Sequence, residues 1–214
     1  MQWKDLYSNN LQRNNTDFPE NFLLYYFYNK KFQTLFHNKK SILDLGSGFG
    51  RNISLYKSFF SDITCIDPVR DSVEFIKEKY KIEAYIFTPP LINIKKKFDV
   101  IVACNSIYYM TNELFMDQYL ENILKLLNPR GLFIFSLIGD RHTILDGGKR
   151  LSDDYYVINS SHERYLKLKN QVIFLPKNEI NFSDINLNVI SSGEILETFD
   201  SHTRELKVYL TQLI

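Results

Sequence analysis

A glycine turn at residues 46–50 carries the strongest chemical signal in the sequence. An apolar run ends there in an acid, three glycines alternate with single residues, and a helix pattern follows. Glycine permits positive φ and removes the Cβ that would keep a ligand away from the backbone. The helix behind the turn presents free N–H groups and the positive end of its dipole. A small molecule can therefore lie against the main chain at this turn.

An acid after the next apolar run indicates the kind of ligand. Asp67 follows the run 63–66 and lies twenty-one residues after Gly46. An acid about 20 residues beyond a glycine turn typically accepts hydrogen bonds from ribose hydroxyls. The glycine spacing here is G-x-G-x-G, whereas a dinucleotide site has G-x-G-x-x-G, and Arg51 stands where the third glycine of that pattern would be. The spacing therefore favours a nucleoside ligand other than a dinucleotide.

With Asp44 two residues before the glycines, this turn resembles the first motif of class I S-adenosylmethionine (SAM)-dependent methyltransferases. Residues 98–105 resemble the fourth strand of that family and residues 126–135 its fifth-strand turn, so the resemblance covers roughly residues 40–138. The resemblance implies SAM as the cofactor. The positions that it assigns to the SAM site are Asp44, Gly46, Ser47, Gly48, Gly50, Arg51, Asp67, Pro68, Thr88 and Asn105, with Tyr7 from the N-terminal segment.

Two positions depart from the family pattern. Thr88, followed by Pro89-Pro90, stands where the family often has an acid that touches the adenine amino group. Arg130 stands where the family often has a second glycine in the fifth-strand turn. Neither departure removes the ribose or methionine anchors that the resemblance implies.

Composition bounds the remaining classes of function. A chain of 214 residues with 44% hydrophobic residues suits an ordinary globular protein with a sizeable core. A net charge of +1 gives no general electrostatic case for binding nucleic acid or an acidic membrane. Because we find no signal peptide and no apolar stretch of membrane-spanning length, we expect a cytoplasmic protein. No Cys/His spacing suggests a metal, and Cys65 and Cys104 fall inside apolar strand runs.

The alternation of strand and helix patterns predicts an α/β, Rossmann-like, doubly wound and mostly parallel sheet. The final two strands match the antiparallel C-terminal pair of the resembling family, which gives seven strands. The expected strands are 41–45, 62–66, 83–87, 98–104, 132–138, 187–197 and 204–213, with shorter ones at 154–158 and 171–175. The expected helices are Pro19 to about His37, 50–60, a segment with Val69, Val73, Ile76 and Tyr80 on one face, a segment capped by Thr111 or Asn112, and Pro176 to about Phe182.

We interpret residues 1–214 as a single methyltransferase domain. Residues 1–38 would form an N-terminal lid and helix, and residues 139–176 an insert on the acceptor side, where the resembling enzymes usually hold acceptor specificity. Trp3 and Tyr7 resemble the leader of small-molecule methyltransferases in bacterial surface-sugar and secondary-metabolite pathways, which folds over the SAM and acceptor sites. A tail that only packs or stays disordered is the alternative.

The candidate catalytic residues follow the fourth and fifth strands. Tyr108 or Tyr109 could present a ring face or a phenol near the sulfonium, and we expect the other to pack on the next helix. His142 is our first candidate for a general base and His162 the second, although each taken alone more often has a structural role. We assign structural roles to His37 and His202. Arg141, Arg150 and Arg164 could hold an acceptor carboxylate or phosphate, or they could be solvated.

These observations predict a SAM-dependent methyltransferase that acts on a small-molecule acceptor, at oxygen rather than nitrogen. The resemblance of the leader points to surface-polysaccharide or secondary metabolism. One alternative is a non-catalytic subunit that keeps the fold but has lost SAM binding. It is disfavoured because the three glycines of the turn and Asp67 are all present in this chain. Another is a nicotinamide-dependent oxidoreductase, which the missing third glycine disfavours. A nucleic-acid methyltransferase is disfavoured by the net charge and by the absence of an Asn-Pro-Pro-Tyr-type motif after the fourth strand.

Overall fold

The computed structural model describes residues 18–110 and 115–214. Its helices are α1 (Asn21–Tyr28), α2 (Lys30–Phe36), α3 (Ile53–Tyr56), α4 (Arg70–Tyr80) and α5 (Phe115–Lys125). Its strands are β1 (Ser41–Leu45), β2 (Asp62–Asp67), β3 (Glu83–Ile86), β4 (Phe98–Ala103), β5 (Tyr109–Met110), β6 (Leu127–Ile138), β7 (Lys149–Arg150), β8 (Tyr155–Val157), β9 (Val172–Phe174), β10 (Leu187–Phe199) and β11 (His202–Leu213). Trp3 and Tyr7 of the expected lid, and the expected caps Thr111 and Asn112, lie outside the described residues.

The main sheet has seven strands in the order β10-β11-β6-β4-β1-β2-β3. Strands β3, β2, β1, β4 and β6 run parallel, while β11 is antiparallel to β6 and β10 is antiparallel to β11. The chain therefore starts at the middle of the sheet, winds to one edge, and returns to build the other. This order confirms the predicted doubly wound sheet with an antiparallel C-terminal pair.

The central strands are buried on both faces, as parallel strands covered by helices must be. Every residue of β1 is buried. Alternate side chains enter two separate hydrophobic clusters: Leu43 and Leu45 enter one, and Ile42 enters the other with α1 and α2. Burial on both faces fixes the carboxyl end of β1, where the glycine turn begins.

The expected helix from Pro19 to His37 is wrong, because Asn29 divides it into α1 and α2. Asn29 has extended backbone angles, and its side chain accepts a hydrogen bond from the Lys31 amide at 3.0 Å. This N-cap starts α2 as a separate helix. The helix expected over 50–60 is also too long, because turns of three-residue spacing at Ser58 and Phe59 replace the helical ladder after α3.

The insert and β5 together build a second sheet of four short strands in the order β5-β9-β8-β7. Strands β8 and β9 confirm the two that were expected, whereas β5 and β7 were not expected. Since β5 comes soon after β4, the loop beyond β4 is joined directly to the insert. The helix expected from Pro176 is wrong, because the Lys177 amide donates to the Asp153 carbonyl at 2.8 Å and holds this segment along the insert. A 3₁₀ helix appears later, at Phe182–Ile185.

The direction of β11 brings the start of that strand to the carboxyl edge of the parallel strands. Leu206 of β11 pairs with Ile138 at the end of β6, and the register runs back from there to Gln212 opposite Leu132. His202 and Arg204 therefore lie beyond the end of β6. Ligands of open α/β sheets bind at this edge, so His202, to which the sequence assigned only a structural role, lies at the edge where a ligand would bind. Among the described residues, no helix has the length and apolar character needed to cross a membrane.

Candidate functional site

The glycine turn after β1 has the left-handed backbone that its residue types predict. Gly46, Gly48 and Gly50 have φ of 74°, 52° and 77°. A Cβ on Gly46 would overlap the Ser106 side chain, so only glycine lets the turn lie against the loop after β4. The turn therefore presents bare backbone to whatever lies beside it.

Asp67, at the end of β2, is held against this turn. Its Oδ2 accepts a hydrogen bond from the Gly48 amide at 2.8 Å, and its Oδ1 accepts one from the Val69 amide at 2.8 Å. Burial raises the pKa of the carboxyl to about 6, against the opposing effect of these two amides. The glycine turn and Asp67, both selected from the sequence, are therefore in contact. The Asp67 carboxylate has few hydrogen-bond donors for so buried a group.

Asp44 is a second buried acid at the same edge. Its Oδ2 has no hydrogen-bond partner among the described residues, nor does the nearby Tyr56 hydroxyl. Burial, and next the charge of Asp67, raise the pKa of Asp44 to about 7. The Tyr56 hydroxyl lies near enough to oppose the rise without completing a hydrogen bond of good geometry, and the Arg51 charge opposes it too. A buried acceptor without a donor costs about 1–3 kcal/mol, so this atom is one that a bound ligand or water can satisfy.

The loop after β4 is tied to β1 and β6. The Ser106 hydroxyl donates to the Leu45 carbonyl at 2.7 Å. Asn105 takes a left-handed backbone with φ of 52°, and its amide donates to the Ser136 hydroxyl at 2.9 Å. These bonds fix Asn105 at the carboxyl edge beside the glycine turn.

Glu20, just before α1, connects these segments through a buried carboxylate. It is 2% exposed. Oε1 lies 2.7 Å from the Arg51 guanidinium and accepts from Asn105 Nδ2 at 2.8 Å, while Oε2 accepts from Arg204 at 2.7 Å. The Glu20 amide also donates to Asn52 Oδ1 at 3.1 Å. Sequence reasoning treated Glu20 only as part of a helix start.

Tyr108 and Tyr109 connect the loop after β4 to the insert. Their ring centroids lie 4.5 Å apart, and the Tyr108 carbonyl accepts from the Phe174 amide of β9 at 2.8 Å. Burial raises the pKa of Tyr108 well above its usual value, so its phenol stays protonated. Tyr108 is buried and Tyr109 partly buried, and the role of Tyr108 near a sulfonium stays a prediction.

His142 and His162, the two predicted bases, each cap a short 3₁₀ helix of the insert. His142 Nδ1 accepts from the Ile144 amide at 3.2 Å, and His162 Nδ1 accepts from the Arg164 amide at 3.3 Å. Burial, and next the charge of His202, lower the pKa of His142 to about 3. Both histidines therefore have a local structural task, and their role as base stays a prediction.

His202 lies beside both of these histidines and against Tyr165. The Tyr165 hydroxyl is 2.6 Å from His202 Nε2. The His202 ring centroid is 6.0 Å from that of His142 and 5.3 Å from that of His162. Burial, and next the Arg164 charge, lower the pKa of His202. Sequence reasoning missed this pair, and the predicted antiparallel direction of the last strand was the signal that could have found it.

The family follows from a direct sequence match. A family model described as a methyltransferase domain matches residues 21–175, which include the glycine turn, Asp67 and most of the insert. The chain belongs to the methyltransferase domain family. No curated protein matches the sequence.

Solved structures of similar fold agree with this assignment. A SAM-dependent methyltransferase from Clostridium acetobutylicum is 15% identical, with a TM-score of 0.64, covering 99% of this chain and 98% of that one. The 1,6-didemethyltoxoflavin-N1-methyltransferase of Burkholderia thailandensis, with S-adenosylhomocysteine (SAH) and 1,6-didemethyltoxoflavin bound, is 13% identical (TM-score 0.62; 99% and 86% covered). The N-methyltransferase NodS of Bradyrhizobium japonicum, in complex with SAH, is 15% identical (TM-score 0.58; 96% and 97% covered). Family and fold together confirm the prediction: the protein is a class I SAM-dependent methyltransferase.

The carboxyl edge of this methyltransferase fits SAM by its own geometry. The left-handed turn at 46–50 allows a ligand to approach the backbone, and the Asp67 carboxylate lies beside it. The unpartnered Asp44 oxygen is a buried acceptor at the same place. These three features suit a ligand that carries hydroxyl and ammonium donors.

The remaining predicted residues of the methyltransferase have other surroundings. Thr88 is exposed and forms an isolated bridge with Leu91. Arg141 pairs with the buried Glu205, and Arg150 donates to the Leu175 carbonyl at 2.7 Å. The two arginines therefore hold parts of the fold together, and binding of an acceptor anion by them stays a prediction.

Proposed function

We propose that this methyltransferase transfers the SAM methyl group to the hydroxyl of a small molecule. The arrangement at the carboxyl edge carries the proposal: a buried carboxylate sits on a bare glycine turn, and a layer of tyrosine and histidine rings begins at the adjacent loop. Donor and acceptor sites would then share one edge of the sheet. The leader with Trp3 and Tyr7 supports a role in surface-polysaccharide or secondary metabolism through its resemblance to enzymes of those pathways.

SAM supplies a methyl group already activated by a positive sulfur, so the protein mainly has to align donor and acceptor. Alignment can lower such a barrier by roughly 7–11 kcal/mol in the best cases. We propose that Asp67 accepts from the ribose hydroxyls. The backbone of Gly46 and Gly48 would lie along the methionine part, with Asp44 as the acceptor nearest to it. Ser47, Gly50, Arg51, Pro68, Thr88, Asn105 and Tyr7 complete the proposed donor site.

The insert at 139–176 is the proposed acceptor side. Its rings come from Tyr155 and Tyr165, and those of Tyr108 and Tyr109 lie at its junction with β4. Such a lining suits an uncharged or aromatic small molecule better than a polyanion, because the arginines Arg141 and Arg150 are occupied by partners within the fold.

Transfer to oxygen requires a group that removes the hydroxyl proton, which helps by about 10²–10⁴-fold. His142 and His162 are the bases predicted from sequence. We propose the Tyr165–His202 pair as a third candidate, because burial lowers the pKa of His202 and its Nε2 is in hydrogen-bond contact with a phenol. His142 is a weak base, because burial lowers the pKa of its ring to about 3.

A metabolite screen tests the proposed reaction. The purified protein is incubated with fractionated small-molecule extract and SAM that carries a deuterated methyl group. We expect one compound class to gain the labelled methyl on oxygen, located by fragmentation and NMR. A labelled methyl group on nitrogen or carbon would contradict transfer to oxygen and would still agree with methyltransferase activity. If the protein binds SAH under the assay conditions and no labelled product forms, the small-molecule proposal is contradicted.

Once an acceptor is known, three alanine variants rank the bases. Removal of the base should lower kcat more than it raises KM, because the contact of the base with the acceptor forms mainly in the transition state. We expect His202→Ala to show the largest loss of kcat. Tyr165→Phe should show the same pH profile of kcat as His202→Ala. A larger kcat loss in His142→Ala or His162→Ala would return the role to the residue predicted from sequence.

A further inference from the structure

The Glu20 carboxylate is the most highly connected buried charge that the proposed chemistry does not use. Its partners Arg51, Asn105 and Arg204 come from three chain segments that meet only in the fold. Arg204 is bonded in addition to Glu197 at 3.1 Å. A buried carboxylate is costly unless it is paired and hydrogen-bonded. Here the donors come from the end of the glycine turn, the loop after β4 and the C-terminal hairpin.

Two of these partners border the proposed donor site. Arg51 directly follows the turn at 46–50, and Asn105 is held beside it by Ser136. Arg51 is 48% exposed and has two acids within its influence, Glu20 by direct contact and Asp44 by charge. Contact with Glu20 therefore decides which way the guanidinium points.

We propose that Glu20 is a positioning residue of the donor site. It holds Arg51 away from Asp44 and fixes Asn105, so that the glycine turn and the loop after β4 keep one spacing before SAM arrives. Preorganisation of this kind raises affinity because the free protein has less to reorder on binding. The inference rests on the proposed donor site and assigns Glu20 no contact with the reacting atoms.

The chain offers a matched control in Glu205. This carboxylate is also buried, at 4% exposed, and is also paired with an arginine, Arg141. It follows Arg204 on β11, and successive side chains of a strand point to opposite faces. Glu205→Gln therefore breaks a similar buried ion pair away from the glycine turn.

Calorimetric titration with SAH, together with thermal unfolding, tests the proposal. We expect both Glu20→Gln and Glu205→Gln to lower Tm. Only Glu20→Gln should weaken SAH binding, by about tenfold, while Glu205→Gln stays within about twofold of the wild type. In an Arg51→Gln background the further effect of Glu20→Gln should shrink to about threefold or less, because the two residues act through one contact.

Four outcomes overturn the inference. Equal loss of SAH affinity in both single variants would make Glu20 a general stabiliser, and unchanged affinity in Glu20→Gln would remove its positioning role while leaving the donor site intact. If the wild type binds no SAH, the proposed donor site fails and the inference with it. Should Glu20→Gln not fold, Glu20→Asp keeps the charge but shortens the reach, and wild-type SAH affinity in that variant would equally overturn the proposal.

Discussion

The acids at the two edges of the parallel sheet have opposite hydrogen-bond surroundings. At the amino edge, Asp99 accepts from the Lys40 amide at 2.8 Å, from Asn128 at 2.9 Å and from both the amide and hydroxyl of Ser41. Burial alone would raise the pKa of Asp99, but these hydrogen bonds outweigh it and the pKa lies below its usual value. Asp99 is a satisfied structural acid that joins β1 to β4 and β6.

At the carboxyl edge, Asp67 has two backbone donors and Asp44 Oδ2 has none among the described residues, and burial raises both pKa values. The difference teaches where the ligand belongs. The fold supplies several donors to Asp99, which joins three strands, and few to Asp44 and Asp67, the acids of the proposed donor site. Strongly shifted acids in a cleft are candidates for function for this reason.

The largest effect is expected from adding a side chain to the carboxyl edge. Gly48→Val places a branched Cβ at φ of 52°, which is strained for such a residue, and it narrows the approach to the backbone. We expect SAH affinity to fall by at least about a hundredfold while circular dichroism still shows the fold.

Arg130 supplies the control at the amino edge, since it already adopts a φ of 57° without being glycine. Arg130→Gly should leave SAH affinity unchanged, because that turn borders no ligand. If Arg130→Gly weakens binding as much as Gly48→Val does, the contrast between the edges is wrong.

The next effect is on stability. Asp99→Ala leaves the Lys40, Ser41 and Asn128 donors without their shared acceptor, so we expect the free energy of unfolding to fall by about 2–3 kcal/mol in denaturant titrations. SAH affinity of the folded variant should stay within about twofold of wild type. A variant of normal stability with poor SAH binding would reverse the roles of the two edges.

Asp44→Asn should do the opposite and stabilise the free protein at high pH. The folded pKa of Asp44, about 7, lies above the ordinary 3.8. Its contribution to stability is thus present in full below pH 3.8 and is lost as pH rises through 7. We expect Asp44→Asn to gain about 1–3 kcal/mol over wild type at pH about 8 and little at pH about 4, because the loss in the wild type builds up between the two pKa values. If the variant and the wild type have equal Tm at both pH values, Asp44 has a hydrogen-bond donor in solution and the prediction is wrong.

The smallest effect is the pH dependence of SAH binding. Ribose hydroxyls donate to an ionised Asp67, so affinity should rise as pH increases through about 6 and then level off. The slope should be up to about tenfold per pH unit. Titrations across this range at constant ionic strength would measure it, and affinity that falls with rising pH would contradict the assigned role.

The glycine turn and Asp67 could be predicted from sequence because their signals are local. Glycine types and spacing dictate the left-handed turn, and Asp67 follows from the end of the next strand. The central strands were equally readable, since burial on both faces leaves continuous apolar runs such as that of β1. Asn29 was not, because whether an asparagine lies inside a helix or caps one depends on packing around it.

The contacts of Glu20, of the insert and of the C-terminal hairpin could not be predicted because they are long-range. Glu20 meets Arg204 across a separation of 184 residues, and no pattern near either residue announces it. His202 contacts Tyr165 only because β11 runs antiparallel to β6. His142 and His162 were selected by their position after the fifth strand, and their capping bonds became visible only with the backbone of the insert.

Calorimetric binding of SAH to the wild type and to Asp67→Ala tests the central claim most directly. We predict that the wild type binds SAH and does not bind NAD. Asp67→Ala should lose about 1.5–3 kcal/mol of binding free energy, or about 10- to 150-fold in affinity, because charge-assisted hydrogen bonds to the ribose disappear. Wild-type affinity in a folded Asp67→Ala variant, or NAD binding by the wild type, would contradict the account.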